Sequence, residues 1–279
     1  MDIYSAHWRR NFTQLKKMTC YDRALAIPLW GISRRKGCII QYQTRKAEIA
    51  PFPSRSKETL QDALFALSQW DLSLPSVAFA VESLTLPKAP KKRSYEKESA
   101  LILDTDSLPN FPLQKYVKIK IGGDPIHDAC RIVRLKNRYP DRVFQLDANR
   151  KWDLKKAALF LKNCPKEYFW YIEEPAFSFE ELLQMAEHLP LPIAVDESLY
   201  EQPIEKIIQL PSLKAVVVKP SLYGGFSHIK KLQKQLPSKV ELILSSLLES
   251  QVGLDCIEDT HFALGLHTPL GVGTKRFFA

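Results

Sequence analysis

YVKIKI (116–121), VFQLDAN (143–149), WYIEE (170–174), IAVDES (193–198) and AVVVKP (215–220) decide the fold. Each run is short, apolar and rich in β-branched or aromatic residues, as a buried parallel strand requires. Each also carries a charged residue at or near its end, where an apolar one would be expected. Working outward, ALIL (100–103) precedes the set, and LILSS (242–246) and FALGL (262–266) follow it, making eight candidate strands. Amphipathic helices are predicted between them, most clearly over 124–138 and 153–163,. Eight βα units in about 180 residues predict an α/β chain with a (β/α)8-type barrel, in preference to an open doubly wound sheet. Upstream, residues 28–50 alternate apolar and polar positions around Gly31 and Gly37 and predict a small antiparallel sheet,. A helix over 57–70, N-capped by Ser56, and another starting at Pro75 complete an α+β amino-terminal domain,. The expected division is 1–95 for that domain and 96–279 for the barrel, with the basic stretch Lys88–Lys97 as a solvated linker.

The 279 residues are 45% hydrophobic and 25% charged, which excludes a disordered chain,. No apolar stretch is long enough to span a bilayer, and the first residues lack the pattern of a secretory signal, so a cytoplasmic protein with no membrane partner is expected. Five scattered cysteines, Cys20, Cys38, Cys130, Cys164 and Cys256, read as reduced, mostly packed thiols,. Forty basic against thirty-one acidic side chains leave +9. The basic cluster has no nucleic-acid motif around it, so the balance reads as attraction for a small anionic substrate rather than for nucleic acid.

Lys120, Asp147, Glu173, Asp196, Lys219 and Ser245 follow one another at 27, 26, 23, 23 and 26 residues, about one βα unit each time. In a barrel the C-terminal strand ends gather around one mouth, so these groups converge. Side chains alternate along a strand, which puts Lys118 and Lys120 on one face and Asp147 and Asn149 together on theirs. Three carboxylates gathered there, Asp147, Glu173 and Asp196, repel one another unless a cation sits among them. Oxygen ligands select a hard one, Mg²⁺, with Mn²⁺ as a substitute. Lys120 and Lys219 approach from separate strands, and the positive charge of Lys118 beside Lys120 favours the neutral amine that a base needs. The plainer alternative is that the lysines only neutralise the acids.

With KIK (118–120), LDAN (146–149), IEEP (172–175), VDES (195–198) and VVKP (217–220) in this order, the chain resembles the enolase superfamily, in its muconate-lactonising subgroup. AEIAPFPSRSKET and LPSVAFAVESL upstream, with DANRKW, AVVVKPSLYGG, LILSSLLESQVGL and LGLHT in the barrel, are similar to the o-succinylbenzoate synthases of menaquinone biosynthesis. The resemblance implies an amino-terminal capping domain that closes over the mouth, with Pro51–Pro53 near the ligand. It implies Mg²⁺ on Asp147, Glu173 and Asp196, Lys120 as base and then acid in a syn dehydration, and Lys219 as electrostatic support. Ser245, Ser246 and Gly265 would help hold the substrate, 2-succinyl-6-hydroxy-2,4-cyclohexadiene-1-carboxylate. Gln145 stands where some members have an arginine, His267 where some have an acid, and the segment returning to the cap after the eighth strand is expected to be short or absent. The rival readings are an N-acylamino acid racemase or dipeptide epimerase, and a barrel that only binds an anion.

Overall fold

A computed structural model of the protein describes residues 15–29, 31–90, 99–102, 114–274 and 277. Strands β1 (Leu15–Leu29), β2 (Ile32–Tyr42) and β3 (Arg45–Ile49) form an antiparallel sheet in the order β1-β2-β3. Cys38, Ile40, Ala47 and Ile49 turn inward from β2 and β3 and are fully buried, whereas most described side chains of β1 are exposed. Helices α1 (Leu60–Ser68) and α2 (Pro75–Ser83) follow. The N-cap of α1 is Thr59 rather than the expected Ser56. Thr59 and Asp62 make a reciprocal capping box, while the Ser56 hydroxyl accepts from the Phe52 amide at 2.8 Å and closes the preceding turn,. Helix α2 starts at Pro75 as expected and is buried nearly all round, since it lies between the cap sheet and the barrel.

Seven parallel strands make the second sheet, neighbouring one another in chain order. They are β4 (Ser99–Ile102), β5 (Tyr116–Lys120), β6 (Val143–Asp147), β7 (Tyr171–Glu173), β8 (Ile193–Val195), β9 (Leu213–Val218) and β10 (Glu241–Leu244). Between them run α3 (Pro125–Arg138), α4 (Leu154–Asn163), α5 (Phe179–His188), the short α6 (Ser198–Glu201), α7 (Ile204–Ile207) and α8 (Pro220–Tyr223), and α9 (Phe226–Gln235). Asp124, Asp153 and Ser178 cap α3, α4 and α5 through side-chain bonds to backbone N–H groups,. The outward faces of the strands, such as Val117, Ile119, Phe144 and Leu146, pack under these helices in one continuous core.

The eighth strand is not where it was expected. FALGL (262–266) begins in the last turn of α10 (Gln251–Ala263), and Gly265 at φ +67° turns the chain out of that helix,. The eighth position is taken by a single parallel bridge between Ser245 and Gly271. Gly271 N–H donates to Leu244 O at 2.8 Å and Gly271 O accepts from Ser246 N–H at 2.9 Å. Among the described residues no ladder joins this bridge to β4, so the curved sheet is an open-sided barrel of seven strands.

Two further expectations are corrected. Cys20 and Cys38 are opposed in the β1–β2 register with Cα atoms 4.0 Å apart, and they form a disulfide, leaving Cys130, Cys164 and Cys256 as free thiols. The segment after α10 does return to the cap: Phe277 is buried in a cluster with Leu25, Phe52, Leu247 and Leu248. The expected division at residue 95, and most of the basic linker, lie outside the described residues. No helix among those described is long and apolar enough to cross a membrane.

Candidate active site

The C-terminal ends of β5 to β10 surround one cavity. Its lining includes Lys118, Lys120, Asp147, Asn149, Asp196 and Lys219, with Ser245 and Ser246 beyond them. On β5 the apolar partners Val117 and Ile119 face the helices, so alternation leaves the two lysines facing the mouth,. Lys118 Nζ lies 2.6 Å from Glu173 Oε1 and 2.9 Å from Asp147 Oδ2, and Lys120 Nζ lies 2.6 Å from the same Asp147 oxygen and 2.8 Å from Asn149 Oδ1. Across the site Lys219 Nζ donates to Asp196 Oδ2. The parallel register sets Lys120 beside Asp147 and Asp147 beside Glu173, which is why residues a whole βα unit apart in sequence touch.

Burial would lower the pKa of Lys118, but the carboxylates of Asp147, Glu173 and Asp196 outweigh it and hold the amine well above its usual range. Burial works against ionisation of Asp147 too, yet Lys118 and Lys120 hold its carboxyl far below the usual range. Glu173 behaves in the opposite way. Burial, helped by Asp147 and Asp196, pushes it up to about 8 against the pull of Lys118 and Lys219. Asp196 is raised by burial as well, with Lys219 opposing.

These acids fit a divalent cation. Lysines take one oxygen of each carboxylate, and the other oxygens of Glu173 (Oε2) and Asp196 (Oδ1) are buried with no hydrogen-bond partner. Orphaned buried carboxylate oxygens are costly, and a hard cation supplies the missing partner. Among the described residues the three acids do not stand as a ready-made cage, since the ammonium groups lie between them.

The scan against family models matches residues 114–236 to the enolase C-terminal domain-like family. The o-succinylbenzoate synthase of Vibrio cholerae serotype O1 is 31% identical over 255 residues, covering 80% of this chain and 77% of the relative. The chain belongs to the enolase superfamily. Among solved enolase-like structures, o-succinylbenzoate synthase from Thermosynechococcus elongatus, with magnesium in its active site, superposes with a TM-score of 0.74 at 21% identity over 94% of both chains. The L-Ala-D/L-Glu epimerase of Bacillus subtilis superposes with a TM-score of 0.72 at 17% identity, over 94% of this chain and 90% of that one.

In this superfamily member nine of the ten residues singled out from sequence come together: eight line the cavity, and Glu173 lies directly behind Lys118. Gly265 does not join them; Gly271, Gly273 and Thr274 line the cavity at the last strand position instead. Gly271 fits there because a Cβ would meet Ser245 Oγ, so the glycine lets two backbones approach,. Ser246 Oγ is 2.7 Å from Thr274 Oγ1 and donates to Gly271 O at 2.9 Å. Gln145, where the resemblance gives some members an arginine, is buried.

Sequence reasoning missed three further groups. Glu174 is buried and accepts from the Asp196 amide at 2.8 Å, the Ser198 amide at 3.2 Å, the Ser198 hydroxyl at 2.5 Å and Arg150 Nη2 at 3.1 Å. It thereby fixes the backbone that carries Asp196. Left-handed backbone at Asn149 (φ +48°), Arg150 (+61°) and Glu174 (+40°) bends the chain sharply as it leaves β6 and β7,. Arg35, fully buried, donates to the carbonyls of Ala50, Pro51, Lys36 and Leu248, so it ties the cap loop to the loop after β10. Arg55 reaches from the cap to Glu197 at 2.9 Å. The second acid of IEEP is visible in the sequence, but nothing local shows what the two arginines reach.

Proposed function

We propose that the chain is a magnesium-dependent o-succinylbenzoate synthase, eliminating water from 2-succinyl-6-hydroxy-2,4-cyclohexadiene-1-carboxylate to give 2-succinylbenzoate in menaquinone biosynthesis. The observation that carries this is the pair of lysines on separate strands, with Asp147, Glu173 and Asp196 between them and two of those acids holding buried oxygens without partners. A proton beside a carboxylate is weakly acidic because its loss puts further negative charge on that group. Asp147, Glu173 and Asp196 would hold Mg²⁺, and the ion, when bound, supplies a Lewis acid for the substrate carboxylate.

The remaining work belongs to the chain's own residues. Lys120, once neutral, takes the proton from the carbon next to the carboxylate and returns it to the departing hydroxyl, which leaves as water from the same face. Asn149 Oδ1 and Asp147 Oδ2 hold its amine in place,. Lys118, held protonated by its acids, keeps positive charge next to Lys120,. Lys219 supplies fixed positive charge from the other side, where the electron density of the broken C–H bond accumulates. Ser245, Ser246, Gly271 and Thr274 shape the uncharged part of the cavity and orient the succinyl arm. The division into a capping domain, 1–95, and a catalytic domain, 96–279, is part of the same reading, as is a cytoplasmic location.

An ultraviolet assay for aromatisation of the cyclohexadiene, with and without a chelator, tests this. Magnesium-dependent formation of 2-succinylbenzoate is expected, and a folded protein inert in both conditions overturns the proposal. The second reading, racemisation or epimerisation of N-acylated amino acids or dipeptides, is favoured by Lys120 and Lys219 approaching from separate strands, since two opposed amines can exchange an α-proton. Deuterium exchange at the α-carbon without dehydration would support it.

A further inference from the structure

We infer that Arg55 is a specificity-determining residue that binds a second, distal carboxylate, so that the site selects small organic dianions. This rests on the reading that a first carboxylate is taken among the lysines and acids at the strand ends.

Among the described residues four cations line the cavity, Arg55, Lys118, Lys120 and Lys219. Each of the three lysines is held against Asp147, Glu173 or Asp196. Among the described lining residues, the far side from Ser245 to Thr274 carries no charged group. Among the same residues, the cation outside the strand-end lysines is Arg55, held by Glu197. Counting Glu173 behind the lining and Glu197 within it, four acids balance these four cations.

The second support is geometric. Among the described lining residues Arg55 comes from the cap, and its turn is rigid: the Arg55 and Ser56 amides both donate to Phe52 O, at 3.1 and 2.9 Å, and the Phe52 amide donates to Ser56 Oγ at 2.8 Å. Phe52 is buried under Arg35, which also grips Ala50 O, Pro51 O and Leu248 O. Glu197 holds the guanidinium at the cavity wall, with the Arg55 side chain 29% exposed and so within reach of a ligand. A guanidinium carries five N–H donors in a planar fork and can hold Glu197 and a ligand carboxylate together. Such a preformed cation adds affinity without an ordering cost.

The test uses two matched ligand pairs, titrated calorimetrically in the presence of Mg²⁺: 2-succinylbenzoate against 2-butyrylbenzoate, and N-succinylphenylalanine against N-butyrylphenylalanine. Each pair differs only in the distal carboxylate. The wild-type protein should prefer the succinyl member of at least one pair by about tenfold to a hundredfold, the range for a charge-assisted bond at a partly exposed site. Arg55→Met should reduce that preference to below about threefold, and Arg55→Lys should retain part of it. An Arg55→Met protein with the wild-type ratio overturns the inference, as does wild-type protein that binds both members of each pair equally or binds none of the four ligands. A preference confined to the N-acyl pair and lost in Arg55→Met leaves the role of Arg55 standing and removes the dehydratase reading. If 2-succinylbenzoate binds tightly but independently of Arg55, the dehydratase reading stands and the inference falls.

Discussion

Replacing Glu174 by alanine should loosen Asp196 without touching any group that meets the substrate. Two of the donors Glu174 satisfies are the backbone amides of Asp196 and Ser198, in a segment where both residues are buried. A buried donor left without a partner costs about 1–3 kcal/mol, so two put the penalty at about 2–6 kcal/mol. Part is recovered because burial makes the Glu174 carboxylate itself costly, raising its pKa, and Arg150 keeps its bonds to Glu201 at 2.7 Å. A net loss of about 3 kcal/mol corresponds to a fall in melting temperature of about 6–12 °C for a chain of this size. Below that transition the Asp196 carboxylate should wander, and removing an outer partner of a ligand typically costs about 10–100-fold in metal affinity. Calorimetric melting and a Mg²⁺ titration at 20 °C read both effects. Unchanged melting together with unchanged Mg²⁺ affinity would refute the assignment of Glu174 as the positioning residue of Asp196.

Glu173 is raised to about 8 in the metal-free protein, above the unfolded value of about 4.3,. Its contribution to stability is therefore complete below pH 4.3 and is lost as pH rises through 8. In chelator, melting temperature should show this decline between those values, Mg²⁺ should stabilise more at pH 8 than at pH 6, and Glu173→Gln should flatten both trends; an unaltered pH dependence in that variant would exclude Glu173 as their source. Lys120→Ala should abolish turnover while Mg²⁺ affinity stays within a few-fold, and near-normal turnover would remove Lys120 from the chemistry. Asp196→Asn should weaken Mg²⁺ binding tenfold or more by direct titration, and equal affinity would break the proposed ligand set.

Much of the barrel is legible in the sequence because each of β5 to β9 is an apolar run interrupted by a charge, and two physical requirements, burial and a polar mouth, act on the same few residues. The eighth position fails for the converse reason. FALGL is as apolar as a strand, but its leucines are the end of α10 and the turn beyond it, and a run of five cannot separate those states,. The true contributor, LGVG, reads as a loop because glycine is what allows Gly271 to approach Ser245. Strand β1 lacks the alternation of a strand buried on one face: Leu25 is buried, but Met18 and Ile27 stand exposed. Helix α1 offers two plausible caps three residues apart, and only the partner of each hydroxyl distinguishes Ser56 from Thr59. The acids and lysines of the site announce themselves by spacing. Glu174, Arg35 and Arg55 do not, because the partners that tie them to the site, Asp196, Leu248 and Glu197, are 22 or more residues away in chain segments with no local signal.

The bond from Arg35 to Leu248 O spans 213 residues. At about 5–20 residues per second of synthesis, the arginine emerges from the ribosome roughly 10–40 s before its acceptor exists. Until then it has only the nearby carbonyls of Lys36, Ala50 and Pro51, and the turn bearing Phe52 and Arg55 has nothing from the far end of the chain to lean on. The mouth of the barrel is therefore among the last parts of the molecule to be completed during translation, and a chain stalled before Leu248 would carry the acids of β6 to β8 beneath an unfastened cap.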